Sequence, residues 1–280
     1  MKYINAIQGS LIALVIFALT AVFAPSNGPA ADVELILTVS TFLFAILAGF
    51  FIARLNKRYD QLRDQTADED SYMLSFYLTS QFFGKSFQRK IANIIDRIYV
   101  TSYDTFLADD YKYSKADYVK FYEALNEIKI KRKKENQAFD NMVTMLAEIE
   151  KTRNNTAIIA ADKLTIGQWI IMIVLAAIIT FCLFFLKVPE VYSQVITAML
   201  STILILVILM MRDLQNLRLM GTCIVTESGQ EIFEDIGKIR YYNNEFVKNG
   251  FDVIPKNLKR YRLGFHEAGE KHNIKIITKK

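Results

Sequence analysis

LILTVSTFLFAILAGFFIARLNKRYDQLRDQTADE, residues 35–69, decides how this chain folds. Leu35 to Ala53 carries no charge, whereas Arg54 onward is densely charged, and the whole stretch contains no proline. A helix needs about 20 apolar residues to cross a hydrocarbon core, so this segment reads as a membrane helix that runs on into water without a breaker. Between Arg54 and Phe83 there is no glycine either, and Gly84 is the first plausible interruption.

Three further stretches are free of charge: Tyr3 to Ala31, Leu164 to Leu186 and Val191 to Met211. Each is long enough, or nearly so, to span a bilayer. The chain has 280 residues, 52% hydrophobic and 22% charged, with a mean hydropathy of +0.19. That composition excludes disorder and fits poorly with an ordinary soluble surface. The fold class expected is an all-α integral membrane protein, with four transmembrane helices in two hairpins and helical cytoplasmic extensions. The division expected is 1–54, an N-terminal membrane hairpin; 55–163, a cytoplasmic helical region; 164–211, a C-terminal membrane hairpin; and 212–280, a cytoplasmic helix and basic tail.

The placement of cations sets the expected orientation. Arg54, Lys57, Arg58 and Arg63 follow the second stretch, Lys151, Arg153 and Lys163 precede the third, and Arg212 and Arg218 follow the fourth. The opposite ends carry Asp32 with Glu34, and Lys187 balanced by Glu190. Positive-inside logic puts both termini and the middle region in the cytoplasm of a protein of the cell membrane. The external loops, with Pro25, Gly28 and Pro29 in one and Pro189 in the other, read as turns. The excess charge of +5 is explained by this bias and calls for no nucleic acid. Met1-Lys2, the run Leu11 to Ala24 and a small-residue end at Val22-Phe23-Ala24 also resemble a secretory signal, whose cleavage removes the first helix alone.

The middle region, from Arg54 to Lys163, has 19 basic and 17 acidic residues and no proline, which predicts long helices. Phe87, Ile91, Ile94 and Ile98 mark one helix face. A longer helix is expected from a cap at Ser114, with Tyr118, Phe121, Leu125, Ile128, Phe139, Met142, Leu146 and Ile149 as a seam. Arg132 and Glu135 interrupt that seam. It fits either a coiled coil or a face packed inside the same subunit. The basic run Lys129 to Lys134 reads as a solvated helix face. Ser228 and Glu231 read as a capping box opening a helix with Ile232, Ile236, Ile239 and Phe246, stopped by Gly250. Beyond Pro255 an adaptable basic tail is expected.

Chemistry is sparse. No phosphate loop, dinucleotide fingerprint, HExxH or GxSxG occurs, so no enzyme activity and no cofactor are expected. Cys182 and Cys223 have no neighbouring ligands, and a disulfide scaffold is ruled out. His266 and His272, six apart in a lysine-rich tail, read as two solvated histidines with no metal. Asp68, Glu69 and Asp70 point in different directions on a helix and form no shared acid-base site.

KRYDQLRDQTADE (57–69) after the second membrane helix, and RDLQNLRLMGTCIVTESGQE (212–231) after the fourth, resemble the bestrophin-like domain family of four-helix membrane proteins of bacteria and plants. The family-motif positions here are Arg58, Tyr59, Asp60 and Glu69, then Asp213, Asn216 and Gly221. Where that family commonly shows proline after its Asp-Asn pair, this chain has Leu217. The resemblance covers about residues 10–240 and implies the four-helix fold and, more distantly, an oligomeric anion channel. Thr41, Ala45, Gly49 and Ala53 form a small-residue ridge on the second helix, while Phe44, Leu47 and Phe51 fall on another face. The latter face fits either lipid or a pore axis. The resemblance favours a pore constriction at Phe44, Leu47 and Phe51, with Arg54 and Lys57 attracting anions at its cytoplasmic end. Expected partners are the lipid bilayer, further copies of the chain as a homo-oligomer, and anions. The alternative is a non-conducting membrane scaffold or sensor whose cytoplasmic helices bind a partner. The four apolar stretches hold no Asp, Glu, Lys, Arg or His, which disfavours a proton-coupled transporter.

Overall fold

The computed structural model describes residues 3–107, 110–218, 227–270 and 272–279. The chain divides into two compact units, one built from residues 2–59 and 163–221, the other from 60–162 and 222–280. In chain order the helices are α1 (Ala6–Phe23), α2 (Ala31–Ser80), α3 (Lys85–Tyr103), α4 (Asp110–Asn126), α5 (Lys133–Ala161), α6 (Ile166–Leu186), α7 (Val191–Gln215), α8 (Glu227–Asp235) and α9 (Asn244–Asn249). Three short strands, β1 (Tyr241–Asn243), β2 (Arg260–Gly264) and β3 (Ile274–Thr278), complete the set.

Among the described residues, α1, α2, α6 and α7 are long and apolar enough to cross a membrane, and the chain is an all-α membrane protein with four such helices in two hairpins. Its membrane unit packs around Phe44, Ala48 and Leu55 of α2, Met172, Ala176 and Ile179 of α6, and Leu204 and Met211 of α7. The outward residues are apolar too, among them Leu11, Val15 and Leu19 of α1 and Ile170 and Ile173 of α6. That all-round apolarity suits helices with lipid on one side and each other on the other. The unbroken α2 matches the absence of proline along it and of glycine from Arg54 onward. It ends in a single 3-10 turn, Gln81–Phe83, against Gly84.

The second unit has a core of Met73 and Phe76 from α2, Ile91, Ile95 and Ile98 from α3, Tyr118 and Phe121 from α4, Met142, Leu146 and Ile149 from α5, and Phe233 from α8. The seam residues therefore pack within one subunit. Four boundaries differ from the sequence reading. The interrupted seam is a helix break: the Glu135 carboxylate accepts the Lys131 and Arg132 amides at 2.7 and 3.1 Å and opens α5, so the run 129–134 is mostly the loop between α4 and α5. Ser114 lies inside α4 and accepts a hydrogen bond from Arg153 at 2.8 Å instead of capping. Ser228 sits inside α8 and donates to Asp70 at 2.5 Å. The helix expected over 228–250 stops at Gly237, whose φ is 76°, because β1 intervenes before α9.

The described residues of the tail form a small sheet in place of the expected adaptable segment. Strand β1 pairs parallel with β2, and β2 pairs antiparallel with β3, in the order β1-β2-β3. On β3, Ile274 and Ile277 are half-covered while Lys275 and Ile276 are exposed, so burial along the strand does not follow the Ile274 and Ile276 alternation.

Candidate functional site

Two constellations of buried polar groups stand out, one in each unit. In the membrane unit the charges sit at the ends of α1. Asp213, at the end of α7, accepts the Ala6 amide at 2.8 Å and the Tyr3 hydroxyl. Lys187, 3% exposed, donates to the carbonyls of Ala21 and Ala24 at 2.5 and 2.6 Å. A carboxylate at the N-terminus and an ammonium at the C-terminus both complement the helix dipole and fill orphan backbone positions. Sequence reading placed Lys187 in an external loop balanced by Glu190. Its true partners are backbone carbonyls, which no residue pattern reveals. Arg58, 3% exposed, donates to the Gln215 carbonyl at 2.9 Å, and the Gln215 side chain accepts from the Trp169 indole at 3.0 Å. These bonds tie the middle of α2, at Arg58, and the start of α6, at Trp169, to the end of α7.

The other constellation centres on Asp104, which ends α3. Its Oδ1 accepts from the Tyr241 hydroxyl at 2.6 Å and the Asn243 amide at 2.8 Å, and its Oδ2 lies 2.8 Å from Nε2 of His266. Tyr241 and Asn243 are two apart on β1 and therefore face the same way. Gln230 clamps the Tyr241 backbone through both its N–H and its C=O. Gly264, on β2 opposite Asn243, is required: a Cβ there lies 1.9 Å from the Tyr241 hydroxyl oxygen. Beyond β2 the hairpin loop carries His266, and His272 stacks on it with ring centroids 4.9 Å apart. The Asn273 amide donates to Nδ1 of His266 at 3.2 Å, so Nε2 holds the ring proton and donates it to Asp104. A cavity of about 270 Å³, lined by Asp104, His266, Tyr113, Glu245 and Glu267 among others, opens beside the pair.

Electrostatics follow from the burial. Desolvation raises the Asp104 carboxyl above its ordinary value, against the opposing pull of hydrogen bonds from Tyr241, Asn243 and His266. Burial and then the Asp104 charge push the Tyr241 hydroxyl well up. His272 is lowered, by desolvation first and by His266 second, although part of its ring stays exposed. The one ligand atom that each of Asp104, His266 and His272 can offer lies within 4.8 Å of the others. The expectation of two solvated histidines is thus overturned for His266, which is 7% exposed, while His272 is exposed as expected. Its carboxylate partner stands 162 residues earlier in the chain, out of reach of any spacing rule.

The profile of the bestrophin-like domain matches residues 9–216. The chain belongs to the bestrophin-like family. No curated protein and no solved structure matches it. The match spans all four membrane helices of this bestrophin-like chain and includes Asp104, but His266, His272, Tyr241 and Asn243 lie beyond it. The histidine cluster is therefore assembled partly from outside the family domain.

The bestrophin-like motif residues separate into two groups. Arg58, from the middle of α2, and Asp213 join the buried bonds around the end of α7, and Asn216 caps α7. Leu217, where proline is common in the family, has φ 56°, a conformation closed to proline. Its amide and that of Arg218 bond back to Leu214 and Asp213 in a Schellman turn. Tyr59 is half-buried and Asp60 exposed. Glu69 accepts the Tyr118 hydroxyl, and Asp70 accepts Tyr99 at 2.5 Å, whereas Asp68 is exposed, so the acidic triplet does not act as one group. Gly221 and Cys223 lie outside the described residues.

Of the expected constriction, Phe44 is 5% exposed and belongs to the core of its own subunit. Leu47 and Phe51 are half-buried against the same core. The physical reason is periodicity: Phe44, Ala48, Phe51, Leu55 and Arg58 share one face of a 3.6-residue helix. Opposite them lie Phe42, Ile46, Gly49, Ala53 and Lys57, all exposed. Arg54 is exposed on the flank.

Proposed function

We propose that this chain is the subunit of a homo-oligomeric channel of the cell membrane, with both termini cytoplasmic, in which α2 lines a path for anions. The observation that supports this reading is the outward face of α2. Gly49 and Ala53 leave it shallow, with nothing within 4 Å of a Cβ at Gly49, and Lys57 stands at its charged end. Small residues let a second helix approach closely. Apolar side chains such as Ile46 supply a constriction that gates by dewetting and needs no intramembrane charge, and a lysine at its mouth concentrates anions. Membership of the bestrophin-like family agrees with a channel. In this reading the constriction belongs to the outward face of α2, while Phe44 holds the subunit together.

The test is reconstitution of the purified chain in planar bilayers, after its size in detergent has been measured by light scattering. An oligomer passing chloride, with selectivity reduced in Lys57→Glu, supports the reading. The buried Asp104 cluster outside the membrane unit favours a second reading, a sensor or scaffold, and oligomers that pass no current select it.

A further inference from the structure

Going beyond that function, we propose that Asp104, His266 and His272 bind a divalent transition metal ion of the Zn²⁺ class, with a fourth position open to the adjoining cavity. Two imidazoles and one carboxylate are a donor set that suits zinc and its neighbours. Calcium and magnesium take all-oxygen shells instead. Three protein ligands and one open position are the stoichiometry of a site that holds a water or a further ligand.

The geometry needs little adjustment. Ligand atoms about 2 Å from a tetrahedral ion stand roughly 3.3 Å apart. The 2.8 Å between Asp104 Oδ2 and His266 Nε2 opens slightly, and the span within 4.8 Å closes onto the ion. Two imidazoles on one tetrahedral centre put their ring centroids roughly 5 Å apart, and the His266 and His272 rings are 4.9 Å apart. The carboxylate is already oriented: Tyr241 and Asn243 hold Oδ1 and leave Oδ2 for the ion, the kind of outer support that metal ligands receive. Loading moves the His266 ring proton from Nε2 to Nδ1. The long 3.2 Å contact from the Asn273 amide then gives way, and Asn273 is exposed to water. The cavity wall also carries the exposed Glu245 and Glu267, two carboxylates that offset the charge of Arg97, which acts on His272. The ion would tie the end of α3 to the β2–β3 hairpin loop.

The experiment uses the full chain in detergent, stripped with chelator and titrated with Zn²⁺ by calorimetry and with Co²⁺ by visible absorption. The wild type is expected to take one Zn²⁺ per chain and to show the d–d bands of a low-coordinate Co²⁺. His272→Gln and Asp104→Asn should each weaken binding by about tenfold or more and lose those bands. His272 is exposed, so His272→Gln decides the matter if Asp104→Asn fails to fold. No saturable Zn²⁺ binding in the wild type, or a binding curve that His272→Gln leaves unchanged, would overturn the site. Neither readout depends on ion conduction.

Discussion

Phe44→Ala separates a packing role for Phe44 from a gating one. The side chain is 5% exposed and is surrounded by residues of α6 and α7, so its removal leaves a hole that two neighbouring helices cannot easily close. A residual cavity costs about 24 cal/mol per Å³, and a phenyl ring of roughly 100 Å³ then gives about 2.4 kcal/mol. Soluble cores lose more, about 3–5 kcal/mol, because they also lose transfer from water; here the unfolded helices remain in an apolar solvent, so packing dominates. Phe50, 69% exposed on the outward side, should cost less than about 0.5 kcal/mol when changed to Ala. Denaturant titration in bicelles, followed by tryptophan emission from Trp169, measures both. Equal stability of Phe44→Ala and Phe50→Ala would refute the packing role, above all if Phe44→Ala also carried altered current.

Three further outcomes are expected. Leu62→Pro, at a fully buried position within α2, should cost about 3 kcal/mol or more; unchanged thermal stability and oligomer size would mean that the helix does not run through this point. Gly264→Ala should drive the Tyr241 hydroxyl off Asp104 and destabilise the chain by about 1–3 kcal/mol, the cost of an unsatisfied buried acceptor, read by thermal melting. In chelator, the lowered His272 should make stability fall as pH drops below its ordinary value of 6.5, because the unfolded chain takes up the proton first. Desolvation lowers His272 most, with His266 and Arg97 acting the same way and Asp104 and Asp117 opposing them, and the raised Asp104 acts in the opposite sense from 3.8 upward. The melting difference between wild type and His272→Gln over pH 5 to 7.5 therefore carries the result, and parallel curves would contradict it.

Helix existence was readable because it depends on local rules. The charge-free runs and the missing prolines announce α1, α2, α6 and α7, and the family motif could be recognised from 57–69 and 212–231. Helix boundaries were harder, since Glu135 capping α5 and Gly237 ending α8 compete with an apolar periodicity that continues across both breaks. The side to which Phe44 points was open because α2 is apolar all round, and only packing against α6 and α7 chooses among its faces. The histidine cluster was invisible for a different reason: Asp104, Tyr241 and His266 meet through a parallel strand pairing and a hairpin loop. Their one local trace is the alternation at Ile274 and Ile276, which marks a strand and says nothing of its partners.

The measurement that bears most directly on the proposed function is the reversal potential of reconstituted oligomers under a chloride gradient. An anion channel gives a current that reverses near the chloride equilibrium potential, with the reversal moving toward zero in Lys57→Glu and staying in place in Phe50→Ala. A well-formed oligomer that carries no current, or a current that reverses toward the cation potential, would contradict it.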